Sequence, residues 1–217
     1  MTFSIVARDP ETGALGVATA TAGPAVGALV PHLRAGVGAV ATQAMTNPYL
    51  ALDGLELLVG HDAEAALAQV LAADPGRALR QVIMVDGSGR TAGWTGAQCE
   101  DHARHRLGAG VAVAGNILAG PSVLDAMLEG FAPPGPLDRR LLAAMTAGAA
   151  AGGDRRGLGS AAIKVATGEA YADIDLRIDS DAQPLEALIA LHGRLEESGY
   201  NDFLRRIPRR HGPPLFG

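Results

Sequence analysis

Polar side chains that interrupt apolar, glycine-rich segments are the first candidates for chemistry in this chain. Thr42 and Gln43 lie in the segment GVGAVATQA, and Asn116 lies in AGNILAG. Asp154 and Arg155 lie in the glycine-rich segment GGDRRG. Because a buried polar group needs hydrogen-bond partners, each of these side chains either secures a turn or a helix end, or belongs to a functional site. The sequence leaves both interpretations open.

Several common catalytic and ligand-binding motifs are missing from the sequence. It contains no phosphate-binding loop ending in Gly-Lys-Ser/Thr and no Gly-x-Ser-x-Gly nucleophile elbow. Among the histidines, only His102 and His105 are close together in the sequence, and their spacing predicts opposite faces of a strand. We therefore expect neither a metal nor another cofactor.

Composition narrows the class of protein. The chain has 217 residues, of which 48% are hydrophobic and 19% charged, so it can bury a sizeable core. Its formal net charge of −5 disfavours a general nucleic-acid binder, which needs a basic face. The N-terminus does not resemble a signal peptide, and no apolar run reaches the roughly 18 residues of a membrane span.

From these features we expect a cytoplasmic protein whose true N-terminus is near Met1. We expect no membrane or nucleic-acid partner, and the single cysteine allows no intramolecular disulfide. The apolar content is compatible with a homo-oligomer, since most soluble oligomers consist of identical subunits.

The patterns of strand and helix come in blocks rather than in strict alternation. Strands are predicted at 2–7, 14–21, 36–44, 80–86, 90–95, 102–106, 111–114, 160–166 and 172–178. Helices are predicted at 48–60, 63–73, 122–131, 137–151 and 185–197. Paired helices between blocks of strands are not the order of a doubly wound parallel sheet. They predict an α+β fold, a four-layer α-β-β-α sandwich of two antiparallel sheets. We assign residues 1–200 to one domain and residues 201–217 to an Arg- and Pro-rich C-terminal tail.

Four segments, in order along the chain, resemble the bacterial domain-of-unknown-function family 1028. They are MTFSIVARDPETG at 1–13, GVGAVATQA at 36–44, GNILAG at 115–120 and AGGDRRG at 151–157. The resemblance runs over nearly the whole chain, from Met1 to about His192. It implies a fold similar to that of the N-terminal nucleophile (Ntn) hydrolases, the same sandwich that the element order predicts.

Thr2 is the expected nucleophile if Met1 is removed, which happens efficiently before a small residue such as threonine. Thr2 would then carry its own hydroxyl and a free α-amine with a pKa near 8. That amine can take the hydroxyl proton directly or through one water, so no histidine is required. Proteasome-type relatives support this residue with a lysine, whereas this chain has Ala22 in the corresponding region. The nucleophile and the resemblance together imply hydrolysis of an amide-type C–N bond in a small-molecule substrate.

The polar residues singled out above then receive expected roles. Asn116 is the side-chain candidate for a donor to the oxyanion of the tetrahedral intermediate, with backbone N–H groups near Gly115 or Gly23 as alternatives. Gln43 and Thr42 would orient the substrate or the α-amine.

The charged residues of the glycine-rich loop are expected to contact the substrate or the terminal amine. Asp154 would hold the ammonium form of the amine, or pair with Arg155. Arg155 would bind a substrate carboxylate through two parallel hydrogen bonds.

Two alternatives stay open. A non-catalytic protein on the same fold, binding a small metabolite or serving in an assembly, would retain Met1. A thiol nucleophile at Cys99 is disfavoured because neighbouring acidic residues such as Glu100 raise a thiol pKa.

Overall fold

The computed structural model describes residues 2–100 and 102–210, and their strands form two antiparallel sheets. In chain order the strands are β1 (Thr2–Arg8), β2 (Leu15–Thr21), β3 (Pro31–Arg34), β4 (Gly38–Ala44), β5 (Arg80–Asp86), β6 (Thr91–Thr95), β7 (Arg104–Gly108), β8 (Val111–Asn116), β9 (Ser160–Ala166) and β10 (Ile174–Ile178). The larger sheet has the order β10-β9-β2-β1-β8-β7, and the smaller sheet has the order β3-β4-β5-β6. The strand that begins at Thr2 is therefore central in the larger sheet.

Helices cover the outer face of each sheet. They are α1 (Tyr49–Leu57), α2 (Ala63–Ala73), α3 (Ser122–Phe131), α4 (Leu137–Ala150), α5 (Pro184–Gly193) and α6 (Ser198–Leu204). Helices α3, α4 and α5 bury their apolar faces on the larger sheet, and α1 and α2 bury theirs on the smaller sheet. A third apolar cluster lies between the two sheets. The predicted four-layer α-β-β-α sandwich is confirmed.

The turn between β1 and β2 sets the register of the central strands. One carboxylate oxygen of Asp9 accepts two backbone hydrogen bonds within the turn, at 2.8 and 3.0 Å. Gly13 follows with a φ of 74°, which lies in the left-handed region that glycine adopts without strain. This turn leaves the two strands paired so that Thr2 lies directly opposite Thr21.

The observed elements differ from the predicted ones mainly at short segments. Strand β3 was not predicted, because its four residues begin with proline and include only one buried side chain. The predicted strand at 36–44 begins at Gly38, since residues 35–37 form the turn between β3 and β4. In that turn Gly36 has a φ of 71°.

The C-terminal region is more structured than the sequence pattern indicated. Helix α5 ends at Gly193, a 3₁₀ turn follows at Arg194–Glu196, and α6 spans the predicted boundary at residue 200. The hydroxyl of Tyr171 donates to the backbone carbonyl of Pro208 at 3.1 Å, so this part of the tail lies against the body of the protein. Residues 211–217 of the predicted tail are outside the described residues.

No helix within the described ranges is both long and apolar enough to cross a membrane.

Candidate active site

Polar side chains gather at one end of the layer between the two sheets, the end at which β1 begins. Successive side chains of a strand point to opposite faces, and seven polar residues of the central strands point into this layer. We call them the inter-sheet polar cluster: Thr2, Ser4, Thr19, Thr21, Gln43, Gln81 and Asn116. Each is at most 8% exposed. An apolar cluster fills the middle of the layer, so the polar cluster marks one end of the sandwich as chemically distinct.

Thr2 lies between two polar neighbours within the larger sheet. Its strand partners are Thr21 on β2 and Asn116 on β8. The Thr2 and Thr21 hydroxyl oxygens are 3.1 Å apart, at hydrogen-bonding distance. Directly opposed residues of antiparallel strands have Cβ atoms about 4.5–5.5 Å apart on the same face. The structure therefore brings Thr2 and Asn116, both singled out from the sequence, side by side.

Gln43 reaches across from the smaller sheet to the first residue of β1. Its Nε2 donates to the backbone carbonyl of Thr2 at 3.2 Å and to Oε1 of Gln81 at 2.7 Å. Its Oε1 accepts from the Ser4 hydroxyl at 2.6 Å. Because Gln43 is fully buried and its amide is committed on both sides, it holds Thr2 in place rather than facing a ligand.

Gln81 is a central member of the cluster that the sequence reasoning missed. Its Oε1 accepts from Gln43 and from the side-chain amide of Asn116, the latter at 3.1 Å. Its Nε2, which carries two N–H groups, lies within 2.9–3.0 Å of three acceptors: the Thr95 hydroxyl and the backbone carbonyls of Arg104 and Gly115. The signal was present, because Gln81 interrupts the apolar strand RQVIMVD as Gln43 interrupts its own strand. The two glutamines are direct strand partners.

A cavity of about 250 Å³ opens beside Asn116. It is smaller than the roughly 300–1,000 Å³ typical of sites for drug-sized ligands. The lining residues come from strand ends and loops of both sheets: Ala44, Met45, Leu79, Gln98, Cys99, Glu100, Asn116, Ile117 and Arg156. The Asn116 amide carries two N–H groups. One donates to Gln81, and the other has no protein acceptor within the described ranges, so it can serve a ligand in the cavity.

The backbone of the cavity wall is strained at two positions. Ala44 and Ile117 have φ values of 68° and 51°, in the left-handed region that side chains with a Cβ rarely adopt. Each such residue costs on the order of 1–3 kcal/mol and persists only where its surroundings enforce it, which is common at functional sites. Two strained residues in the wall of one small cavity support its interpretation as a functional site.

Thr42 lies apart from the cluster. It neighbours Gln43 on β4, so its side chain points to the helix-covered face, where its hydroxyl donates to the backbone carbonyl of Asn47 at 3.1 Å. Thr42 is fully buried there. The structure therefore does not bring Thr42 to the cavity.

Asp154 secures the end of β2. Its buried carboxylate accepts the backbone N–H of Ala22 at 3.0 Å and that of Arg156 at 2.7 Å. The Arg156 guanidinium lies alongside, with Nε 3.4 Å from the carboxylate. Arg156 lines the cavity, whereas Arg155 is exposed and is not one of the lining residues.

Cys99 lines the same cavity, in surroundings that disfavour the thiolate form. Its thiol lies 3.3 Å from the backbone carbonyl of Arg80. Burial raises the pKa of the Cys99 thiol, which lowers the fraction of reactive thiolate.

Histidines and carboxylates do not assemble into a metal site within the described ranges, where no group of three or more potential ligands comes together. His105 contacts the Thr95 hydroxyl at 2.9 Å, and burial lowers the pKa of its imidazole. His105 is therefore connected to Gln81 through the Thr95 hydroxyl.

Residues 2–188 match the sequence model of a family described as "Family of unknown function (DUF1028)". Similar solved structures include the crystal structure of protein SPO2555 from Silicibacter pomeroyi, which is described as a DUF1028 protein. Its identity to this chain is 37% and the TM-score is 0.90, over 96% of this chain and 92% of that one. Anbu (ancestral beta-subunit) from Yersinia bercovieri aligns at 11% identity and a TM-score of 0.46, over 95% of this chain and 98% of that one. No curated protein sequence matches the chain.

Proposed function

This chain belongs to the family of unknown function DUF1028, and we propose that it is a hydrolase of the N-terminal nucleophile type. In this proposal Thr2, exposed by removal of Met1, attacks an amide-type C–N bond of a small molecule. The observation that carries the proposal is the pairing of Thr2 with Asn116 on adjacent strands, where Asn116 lines a cavity.

The first step uses both functional groups of Thr2. Its α-amine, with a pKa near 8 in model peptides, takes the hydroxyl proton directly or through one water. The hydroxyl oxygen then bonds to the carbonyl carbon of the substrate. Pairing on both sides within a central strand holds Thr2 in one position, which lowers the entropic cost of reaching the reactive geometry.

The negative charge that develops on the carbonyl oxygen needs a donor in the cavity. The second N–H of the Asn116 amide can supply it, and one such donor is worth about 2.7–4 kcal/mol in comparable sites. The hydrogen bond to Gln81 fixes the orientation of this amide before the substrate binds.

Collapse of the intermediate completes the first half of the reaction. The C–N bond breaks, the leaving nitrogen takes the proton from the α-ammonium group, and the acyl group remains as an ester on Thr2. Water, deprotonated by the same amine, then attacks the ester. The acid leaves and the Thr2 hydroxyl is restored, so the sum is amide plus water giving acid plus amine.

In this proposal Asp154 supplies the negative charge that favours the ammonium form of this amine. It binds the N–H of Ala22, the residue after Thr21, and Thr21 is the strand partner of Thr2. A nearby carboxylate favours the ammonium form, which the leaving-group step requires. The contact of Arg155 with a substrate carboxylate stays a prediction.

A hydrolysis screen over small amides and ureido compounds tests the proposal, together with the intact mass of the purified protein. We expect a chain one methionine lighter than the full sequence, and turnover that the Thr2→Ala variant lacks. Thr146→Ala is the matched control, because that hydroxyl bonds a backbone carbonyl within α4. A protein that keeps Met1 and hydrolyses no compound would instead support the metabolite-binding alternative.

A further inference from the structure

Two side chains of opposite charge line the small cavity next to Asn116. Arg156 comes from the loop that follows α4, and Glu100 comes from the loop between β6 and β7. Neither residue was selected from the sequence as a substrate contact. A cavity with one cationic and one anionic wall suits a ligand that carries both signs of charge, because each group then meets its complement.

The Arg156 guanidinium is held in orientation rather than buried. Its Nε and Nη2 lie 3.4 and 3.5 Å from the two carboxylate oxygens of Asp154, and its backbone N–H bonds the same carboxylate at 2.7 Å. These contacts place one side of the guanidinium against Asp154. The side chain is 51% exposed, so part of the cationic group reaches solvent while Asp154 contacts the other part.

The size and the remaining walls of the cavity limit the ligand. At about 250 Å³ the cavity suits a molecule smaller than a typical drug. Met45 and Leu79, which are 62% and 39% exposed, supply apolar surface at its edge. A short hydrocarbon chain can pack there while its polar ends reach the charged walls.

We propose that the substrate is an amino-acid-like amide, with its carboxylate bound by Arg156 and its ammonium or other N–H group facing Glu100. The amide carbonyl then lies at Asn116. This assignment of substrate class rests on the proposed function for the reaction itself, but the charge selectivity of the cavity is tested by binding alone.

Calorimetric binding to the Thr2→Ala protein separates selectivity from turnover. The probes are L-asparagine and L-glutamine, their des-amino acids succinamic and glutaramic acid, and the neutral diamides succinamide and glutaramide. We expect at least one monoacid to bind about tenfold more tightly than its diamide, and the matching amino acid to bind more tightly still.

Substitutions test whether Arg156 and Glu100 cause these differences in affinity. Arg156→Gln should remove the preference for the monoacid over the diamide, and Arg156→Lys should keep part of it, because lysine retains the charge without the planar fork. Glu100→Gln should remove the gain from the amino group. Arg34→Gln is the matched control, since Arg34 is also 51% exposed and pairs with a carboxylate, that of Glu56.

Two results would overturn the inference: no saturable binding of any carboxylate-bearing probe, or a preference for the monoacid that survives Arg156→Gln. A purely structural Arg156 would lower stability in the Gln variant and leave the ratio of affinities unchanged. Full turnover by Thr2→Ala would refute the proposed nucleophile and leave this selectivity result intact, so the two failures are distinguishable.

Discussion

The side-chain amide of Asn116 donates to the side-chain carbonyl of Gln81 at 3.1 Å, across the boundary between the two sheets. The same Gln81 oxygen accepts from Gln43, which binds the backbone carbonyl of Thr2. The proposed nucleophile and the proposed oxyanion donor are therefore connected through two hydrogen-bonded glutamines, Gln43 and Gln81. Their geometry depends on how the two sheets pack.

Replacing Gln81 by leucine should destabilise the protein by about 3 kcal/mol. The change keeps the approximate volume but leaves the amide donors of Gln43 and Asn116 buried without their acceptor, at about 1–3 kcal/mol each. Urea unfolding measures the loss. Gln69→Leu, at an exposed position of α2, should change stability little. An equal effect of the two substitutions would contradict the role given to Gln81.

Asn116→Ala should lower kcat by about 10²–10³-fold with little change in KM. The amide is proposed to bind the oxyanion, which exists only in the transition state and the intermediate. Steady-state kinetics on a substrate found by the screen provide the measurement. Asn47→Ala is a suitable control, because Asn47 bonds Asp74 and the start of α1. An Asn116 variant that only raised KM would point to ground-state binding instead.

Blocking the α-amine should abolish turnover while the Thr2 hydroxyl remains. A chain with one lysine inserted between Met1 and Thr2 keeps Met1 and places Thr2 in a peptide bond, so its nitrogen is no longer a base. The comparison is the rate of the unextended protein, with intact mass confirming both N-termini. Activity that survives the insertion would rule out the terminal amine as the base.

The folded protein should lose stability in acid, because hydrogen bonds in the folded state stabilise the charged form of several carboxylates. The pKa of Asp74 is held below its ordinary value chiefly by the hydrogen bond from Arg80, at 2.9 Å. Because the folded pKa is depressed, the stabilisation is present above the unfolded value of about 3.9 and is lost as the pH falls through the folded pKa. The pKa values of Asp9 and Asp86 are lowered as well.

Urea unfolding from neutral pH into the acid range measures this effect. Asp74→Asn should unfold with a shallower dependence on pH in acid than the wild-type protein. Asp53→Asn, at an exposed position of α1, should keep the wild-type slope. Identical slopes for Asp74→Asn and the wild type would contradict the assignment.

The layer architecture could be predicted from the sequence because helix caps, apolar segments and turn residues mark where its helices and strands begin and end. Asp62 directly precedes the helix predicted at 63–73, and its carboxylate caps α2 by accepting the backbone N–H of Ala65 at 2.9 Å. Apolar strands and turn residues located the central strands in the same way. Strand β3 gave no such signal, because four residues with one buried side chain show no clear alternation.

The candidate site was only partly predictable, because its members meet through tertiary packing. Polar interruptions of apolar strands identified Gln43 and Asn116, and the same criterion applied to Gln81 would have found the third amide of the network. It could not separate Thr42 from Gln43, whose side chains point to opposite faces of β4. Nor could it show that Arg156, rather than Arg155, lines the cavity.

Mass spectrometry of an acid-quenched reaction tests the central claim most directly, because an ester intermediate on Thr2 can be located by peptide mapping. With a slowly hydrolysed substrate, we predict that the acyl group is found on the N-terminal peptide, which begins at Thr2 after loss of Met1. The Thr2→Ala protein should carry no adduct. Turnover without an adduct at Thr2, or an adduct on Cys99, would contradict the account.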